Sequence, residues 1–130
     1  MKKLFFVCTM IALTAGMLTA CNGSRTVTLS AGDAGKTITL HTGDTLVIKL
    51  EGNPTTGYNW LVTSCDKAIL EQQGEPMFKA DSSLVGSGGM LTLNFKAIAA
   101  GTMNLQLGYM RSWETGAAPL QTYEITIVVK

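Results

Sequence analysis

The chain has 130 residues, one domain's worth, with ten Lys and Arg against nine Asp and Glu and a single His. Charge so balanced gives no sign of the basic patch or stripe that a nucleic-acid surface needs, and no polybasic attraction to anionic lipid. With three cysteines and one histidine the chain also lacks the clusters and spacings of a structural metal site, and no acidic loop is patterned for calcium.

Lys2 and Lys3 precede an uncharged apolar stretch from Leu4 to Leu18, closed by Leu18-Thr19-Ala20-Cys21. Such a segment reads as a secretory signal peptide over residues 1–20, too short and too early for a stable membrane span. Its ending resembles the bacterial lipobox. That likeness implies an acylated Cys21 as the mature N-terminus and an exported, membrane-anchored lipoprotein facing the periplasm or the cell exterior. An ordinary signal peptide cut near Ala20 is the alternative. Loss of residues 1–20 leaves eight basic against nine acidic residues, a side-chain charge of −1. Cys65 is then the only thiol besides Cys21, so no internal disulfide is expected, and Cys65 reads as a small apolar residue.

Residues 21–35 read as the acylated cysteine and a Gly-, Ser- and Thr-rich tether, with room for an edge strand at Thr26-Val27-Thr28-Leu29. From Lys36 onward period-two alternation dominates. Ile38 and Leu40, then Leu46, Ile48 and Leu50, then Leu91, Leu93 and Phe95 each line one face of an extended segment. Met103, Leu105, Leu107 and Tyr109 form another set, and Tyr123, Ile125, Ile127 and Val129 form the last. Polar residues stand between them, as a half-buried strand demands. Turn residues punctuate the series at Thr42-Gly43-Asp44, Gly52-Asn53-Pro54, Ala100-Gly101 and Gly116. Only Ser64 to Gln73 tolerates a helix. The pattern predicts an all-β domain over residues 36–130, an antiparallel β-sandwich, with barrel closure as the competing outcome.

Catalysis finds little support. A thiol or hydroxyl nucleophile needs a base within reach and a group to orient that base. His41 and Cys65 are the only candidates, and a lone histidine at a strand end is far more often solvated. Gly86-Ser87-Gly88-Gly89 lacks the Lys-Ser/Thr of a phosphate loop. No cofactor, metal or small-molecule substrate is expected.

Three loops carry unusual chemistry. In Asn53-Pro54-Thr55-Thr56-Gly57-Tyr58 the proline fixes φ, Asn53 can bond local backbone and Gly57 can take a positive φ, so the loop is stiff with two hydroxyls at its tip. Leu84-Val85-Gly86-Ser87-Gly88-Gly89 exposes bare backbone to another chain. Arg111-Ser112-Trp113-Glu114 puts the residue types of interface hot spots in a turn. Each is also a plain turn, hairpin end or stacked rim when taken alone. A carbohydrate-binding or adhesion sandwich, with Trp113 and Tyr58 as stacking platforms, is the alternative reading of the same residues.

Together these motifs, in this order, resemble the chagasin family of cysteine-peptidase inhibitors, and the likeness spans Lys36 to Lys130. It rests on Asn-Pro-Thr-Thr-Gly-aromatic at 53–58, Gly-x-Gly-Gly at 86–89 and Arg-x-Trp at 111–113, with Ser112 where the family pattern has proline. The resemblance implies an immunoglobulin-like sandwich with all three loops at one end, forming a wedge for papain-like cysteine peptidases. It implies that Asn53, Pro54, Thr55, Thr56, Gly57 and Tyr58 fill the middle of the cleft, with Thr55 closest to the catalytic thiol. It further implies that Gly86, Ser87, Gly88 and Gly89 offer backbone on the non-primed side, with Val85 filling a neighbouring apolar pocket. Trp113 would pack on the primed side, with Arg111 holding its turn or reaching an acid. The inhibition implied is reversible and competitive.

Overall fold

The computed structural model describes residues 23–114 and 116–130, so Cys21 and the leader segment lie outside the described residues. Among the described residues nine strands form: β1 (Thr26–Leu29), β2 (Thr37–Leu40), β3 (Thr45–Gly52), β4 (Asn59–Ser64), β5 (Leu70–Gln72), β6 (Met77–Ala80), β7 (Gly89–Ala97), β8 (Gly101–Met110) and β9 (Gln121–Val129). They make two sheets. One has the order β1-β3-β7, with β5 and β6 both paired to the far side of β7; the other has the order β2-β9-β8-β4.

Alternation decides which face each strand buries. Leu46, Ile48 and Leu50 of β3 and Leu91, Leu93 and Phe95 of β7 turn inward from one sheet. Leu105 and Leu107 of β8 and Tyr123, Ile125 and Ile127 of β9 meet them from the other. Trp60 closes the core beneath the loops, donating its indole N–H to Glu51 O at 3.0 Å. Each fully buried Leu, Ile or Phe contributes about 1.5–3 kcal/mol, and Cys65, the cysteine among the described residues, is free.

Both sheets are mixed. β1 runs parallel to β3 and β2 runs parallel to β9, while every other pairing is antiparallel. Alternation fixes the buried face of a strand but says nothing about the direction of its neighbour, so these edge pairings were invisible in the pattern. The strand at Thr26–Leu29 forms within the segment read as a tether, with Leu29 buried. A short 3-10 turn at Ala31–Asp33 then carries the chain from one sheet to the other. The Ser30 carbonyl accepts the Tyr123 hydroxyl at 2.9 Å, tying that crossing to the core. Burial raises the Tyr123 pKa to about 12.

Ser64 to Gln73 forms no helix. Asp66 caps a turn through Ala68 N–H at 3.0 Å, and the chain continues into β5, with only Leu70 fully buried. Half-buried Cys65 donates its S–H to Leu70 O at 3.2 Å, and desolvation pushes its thiol pKa up, so it is an inert packing group. His41 is exposed at the opposite end from Asn53, next to the buried carboxylate of Asp44. Among the described residues no group of His, Cys, Asp or Glu is placed to hold a metal ion, and no helix is long and apolar enough to cross a membrane.

Strand direction sorts the connections into two poles. β3 ends at the Asn53 loop, β6 leads into residues 81–88 and β8 leads into Arg111, so all three loops emerge at one end. Gly23 to Arg25, His41 to Asp44 and Lys130 gather at the other end, where they share a cleft.

Candidate functional site

The first loop folds as one 3-10 turn, Pro54–Thr56, between β3 and β4. Pro54 occupies its first position, where the missing N–H costs nothing. Asn53 caps it, accepting Thr55 N–H at 3.2 Å and the Thr55 hydroxyl on the same side-chain oxygen. Thr56 Oγ1 returns a hydrogen bond to Asn53 O at 2.7 Å. Gly57 ends the turn at φ +86°, a left-handed conformation that glycine adopts without penalty. The Asn53 side-chain oxygen and both threonine hydroxyls are thus engaged within the turn, and Thr55 and Thr56 are left exposed at the tip.

Below the tip lies an aromatic stack. Tyr109 stands between Tyr58 and Trp60, with ring centroids 5.4 and 5.3 Å away. The Tyr109 hydroxyl oxygen accepts the Asn53 backbone N–H at 2.9 Å, so the base of the loop is bonded to the neighbouring sheet. Tyr109 read in the sequence as one more inward residue of β8; only its register opposite Trp60 shows that its hydroxyl reaches the loop.

The third loop is seated on the first. Arg111 donates its Nε–H to Thr56 O at 3.1 Å, lays its guanidinium 4.4 Å over the Tyr58 ring, and pairs with Glu114 at 3.0 Å. That hydrogen bond to Glu114 raises the already high pKa of the guanidinium. Trp113 is 66% exposed yet rests one edge of its indole against Gly57, where an added Cβ would stand 2.9 Å from Cζ2. Glu114, three residues after Arg111, stands at the spacing that allows the ion pair.

The second loop is joined to the first by one contact. Asn53 donates from Nδ2 to Gly86 O at 2.9 Å. Leu84 O accepts Ser87 N–H at 3.2 Å, and Gly86 has φ +79°, the geometry of a turn that needs glycine at its third position. Val85 sits at the corner of that turn, fully exposed, with Leu84 beside it at 76%. Ser87 is drawn inward, its hydroxyl bonded to Gly88 O at 3.0 Å. Gly88 lies over Gly52 O, and Gly89 is buried at the start of β7, where a Cβ would come within 2.7 Å of Ala80 Cα. Gly89 therefore serves the close pairing of β6 with β7, while Val85 and Gly86 form the presented surface.

The result is a ridge of three clasped loops with apolar Leu84 and Val85 on one flank, two threonine hydroxyls at the crest and Trp113 on the other. The chagasin family peptidase inhibitors (I42) match this chain over residues 39–127. Amoebiasin-2 of Entamoeba histolytica is 33% identical over 95 residues, covering 71% of this chain and 77% of its own length. A crystal structure of a cysteine protease inhibitor from Entamoeba histolytica superimposes with a TM-score of 0.70 at 24% identity, covering 82% of this chain and 97% of that one. PbICP-C, in its complex with falcipain-2, gives a TM-score of 0.57 at 19% identity over 82% of this chain and 100% of that one. An all-β sandwich with these loops, matched over most of its length, belongs to the chagasin family of peptidase inhibitors.

Proposed function

We propose that this protein is a reversible, competitive inhibitor of papain-like cysteine peptidases that fills the active-site cleft with its three loops. The observation that carries the reading is the clasp: Asn53 bonds the second loop and Arg111 bonds the third, so the wedge is ordered before it meets a partner. Loops ordered in advance lose little entropy on docking, and buried contact then converts into affinity. Protease–inhibitor interfaces bury about 1,600 Å² in total, an area three adjacent loops can supply.

In this reading Thr55 stands nearest the catalytic thiol and occupies the space a scissile bond would take. Val85 and Leu84 enter the apolar non-primed side, and Trp113 packs on the primed side. Ser112 leaves the third loop without the φ restraint of a proline, and the Arg111–Glu114 pair substitutes part of that rigidity. The export reading stands with it: residues 1–20 direct secretion, and acyl chains on Cys21 hold the domain to a membrane.

The experiment is a titration of the purified protein against several papain-like peptidases at varied substrate concentration. Inhibition that substrate relieves supports the reading, and Thr55→Glu is expected to abolish it by forcing a charge into the cleft. Unchanged inhibition by that variant would sink the placement of Thr55; glycan binding without any inhibition would move the protein to the adhesion class. Labelling with a radioactive fatty acid, lost in Cys21→Ala, tests the anchor.

A further inference from the structure

The second loop offers a peptidase something close to a substrate. Among the described residues Val85 is the most exposed large apolar side chain, and Gly86, with no side chain, follows it. If the second loop slid toward the thiol in place of the Thr55 tip, with Val85 in the enzyme's apolar pocket, the Gly86–Ser87 peptide would be next in line. Cleavage there would need the thiolate to add to the Gly86 carbonyl carbon while its oxygen enters the oxyanion hole. The C–N bond to Ser87 would then break, the Ser87 amine taking a proton, and water would release Gly86 as a carboxylate.

The Gly86 oxygen is already engaged. Asn53 Nδ2 donates to it at 2.9 Å, and the turn closed by Ser87 N–H on Leu84 O holds the same peptide folded rather than extended. The donor comes from the loop whose Thr55 fills the scissile-bond space, so Gly86 can reach the thiol only by breaking this bond and leaving that loop. We propose that Asn53 is a positioning residue that keeps this inhibitor from being cut at Gly86–Ser87, by holding the Gly86 carbonyl away from the peptidase's oxyanion hole. The inference rests on the function proposed above.

Asn53→Asp is the discriminating variant. It keeps the oxygen that caps Thr55 but loses the donor, and it sets a carboxylate oxygen against the Gly86 carbonyl. The wild-type protein and the variant are each incubated with a stoichiometric papain-like peptidase, and intact masses are followed over hours. The expected result is a variant split between Gly86 and Ser87 at least about tenfold faster than the wild-type chain, the factor that loss of one good hydrogen bond allows. A folded Asn53→Asp that stays uncut at this bond overturns the proposal, whatever its affinity. So does cutting spread over several bonds of residues 81–88, which would report general loosening, as would equal cutting of the wild type. A variant that no longer folds by thermal melt is replaced by Asn53→Ser, which keeps a capping oxygen too short to reach Gly86, with the same outcomes. The wild-type inhibition constant, measured in the same series, reads the inhibitor function separately from the cut.

Discussion

Gly57 carries two constraints at once, and Gly57→Ala tests both. Its φ of +86° places any L side chain in the left-handed region, a cost of about 1–2 kcal/mol. The new methyl would also stand where the Trp113 indole rests, 2.9 Å from Cζ2 and closer still to Cη2, so the ring must swing off its seat. An aromatic hot spot contributes about 2 kcal/mol or more at an interface of this type. Losing that and part of the backbone geometry together amounts to about 3 kcal/mol, or roughly a hundredfold in the inhibition constant. The assay is a tight-binding titration against one papain-like peptidase, run in a double-mutant cycle with Trp113→Ala. In the Trp113→Ala background the glycine substitution should cost only its backbone share, about tenfold, because no indole remains to displace. Full additivity of the two substitutions, or a Gly57→Ala protein with unaltered affinity, would refute the claim that Gly57 exists to seat Trp113.

Arg111→Lys keeps the charge but loses the Nε–H to Thr56 O and the planar stack on Tyr58, so dissociation measured by surface plasmon resonance should quicken about tenfold or more. Tyr109→Phe leaves the Asn53 N–H without its acceptor, and thermal unfolding should reveal a loss of about 1–3 kcal/mol with little change in the sheets. Asp44 accepts the backbone N–H groups of His41 and Arg25, which lower its pKa below the ordinary 3.8. A carboxylate depressed in the fold lends stability above its ordinary pKa and loses it as pH falls through the folded value. Denaturant titrations should therefore show acid weakening of the wild type that Asp44→Asn flattens.

The strands that make the core were legible because each places an unbroken apolar series on one face. Leu46 to Leu50 and Tyr123 to Val129 needed nothing but period two to be read. β5 and β6 were not, since they run three and four residues with a single buried side chain, Leu70, between them. Their existence depends on pairing with β7, a long-range fact that no local window contains. The loops divide in the same way. The stiffness of Asn53 to Gly57 followed from Pro, Asn and Gly chemistry within six residues. Asn53 Nδ2 on Gly86, Tyr109 on Asn53 and Arg111 on Thr56 join residues 33, 56 and 55 positions apart, so only the fold brings them together.

The direction of β1 gives the molecule a mechanical character. β1 lies beside β3 in parallel, from Thr26 opposite Thr45 to Leu29 opposite Ile48, and β3 runs straight on to the Asn53 loop. When the chain before Gly23 is held and a docked partner drags on the loops, the load runs along both strands in opposite senses. Their hydrogen bonds are then strained together in shear and must fail together. An antiparallel hairpin pulled from its open end would instead surrender them one at a time. The short edge strand that alternation alone left undirected is thus a brace, passing tension from one pole of the sandwich to the other through a ladder that resists it as a unit.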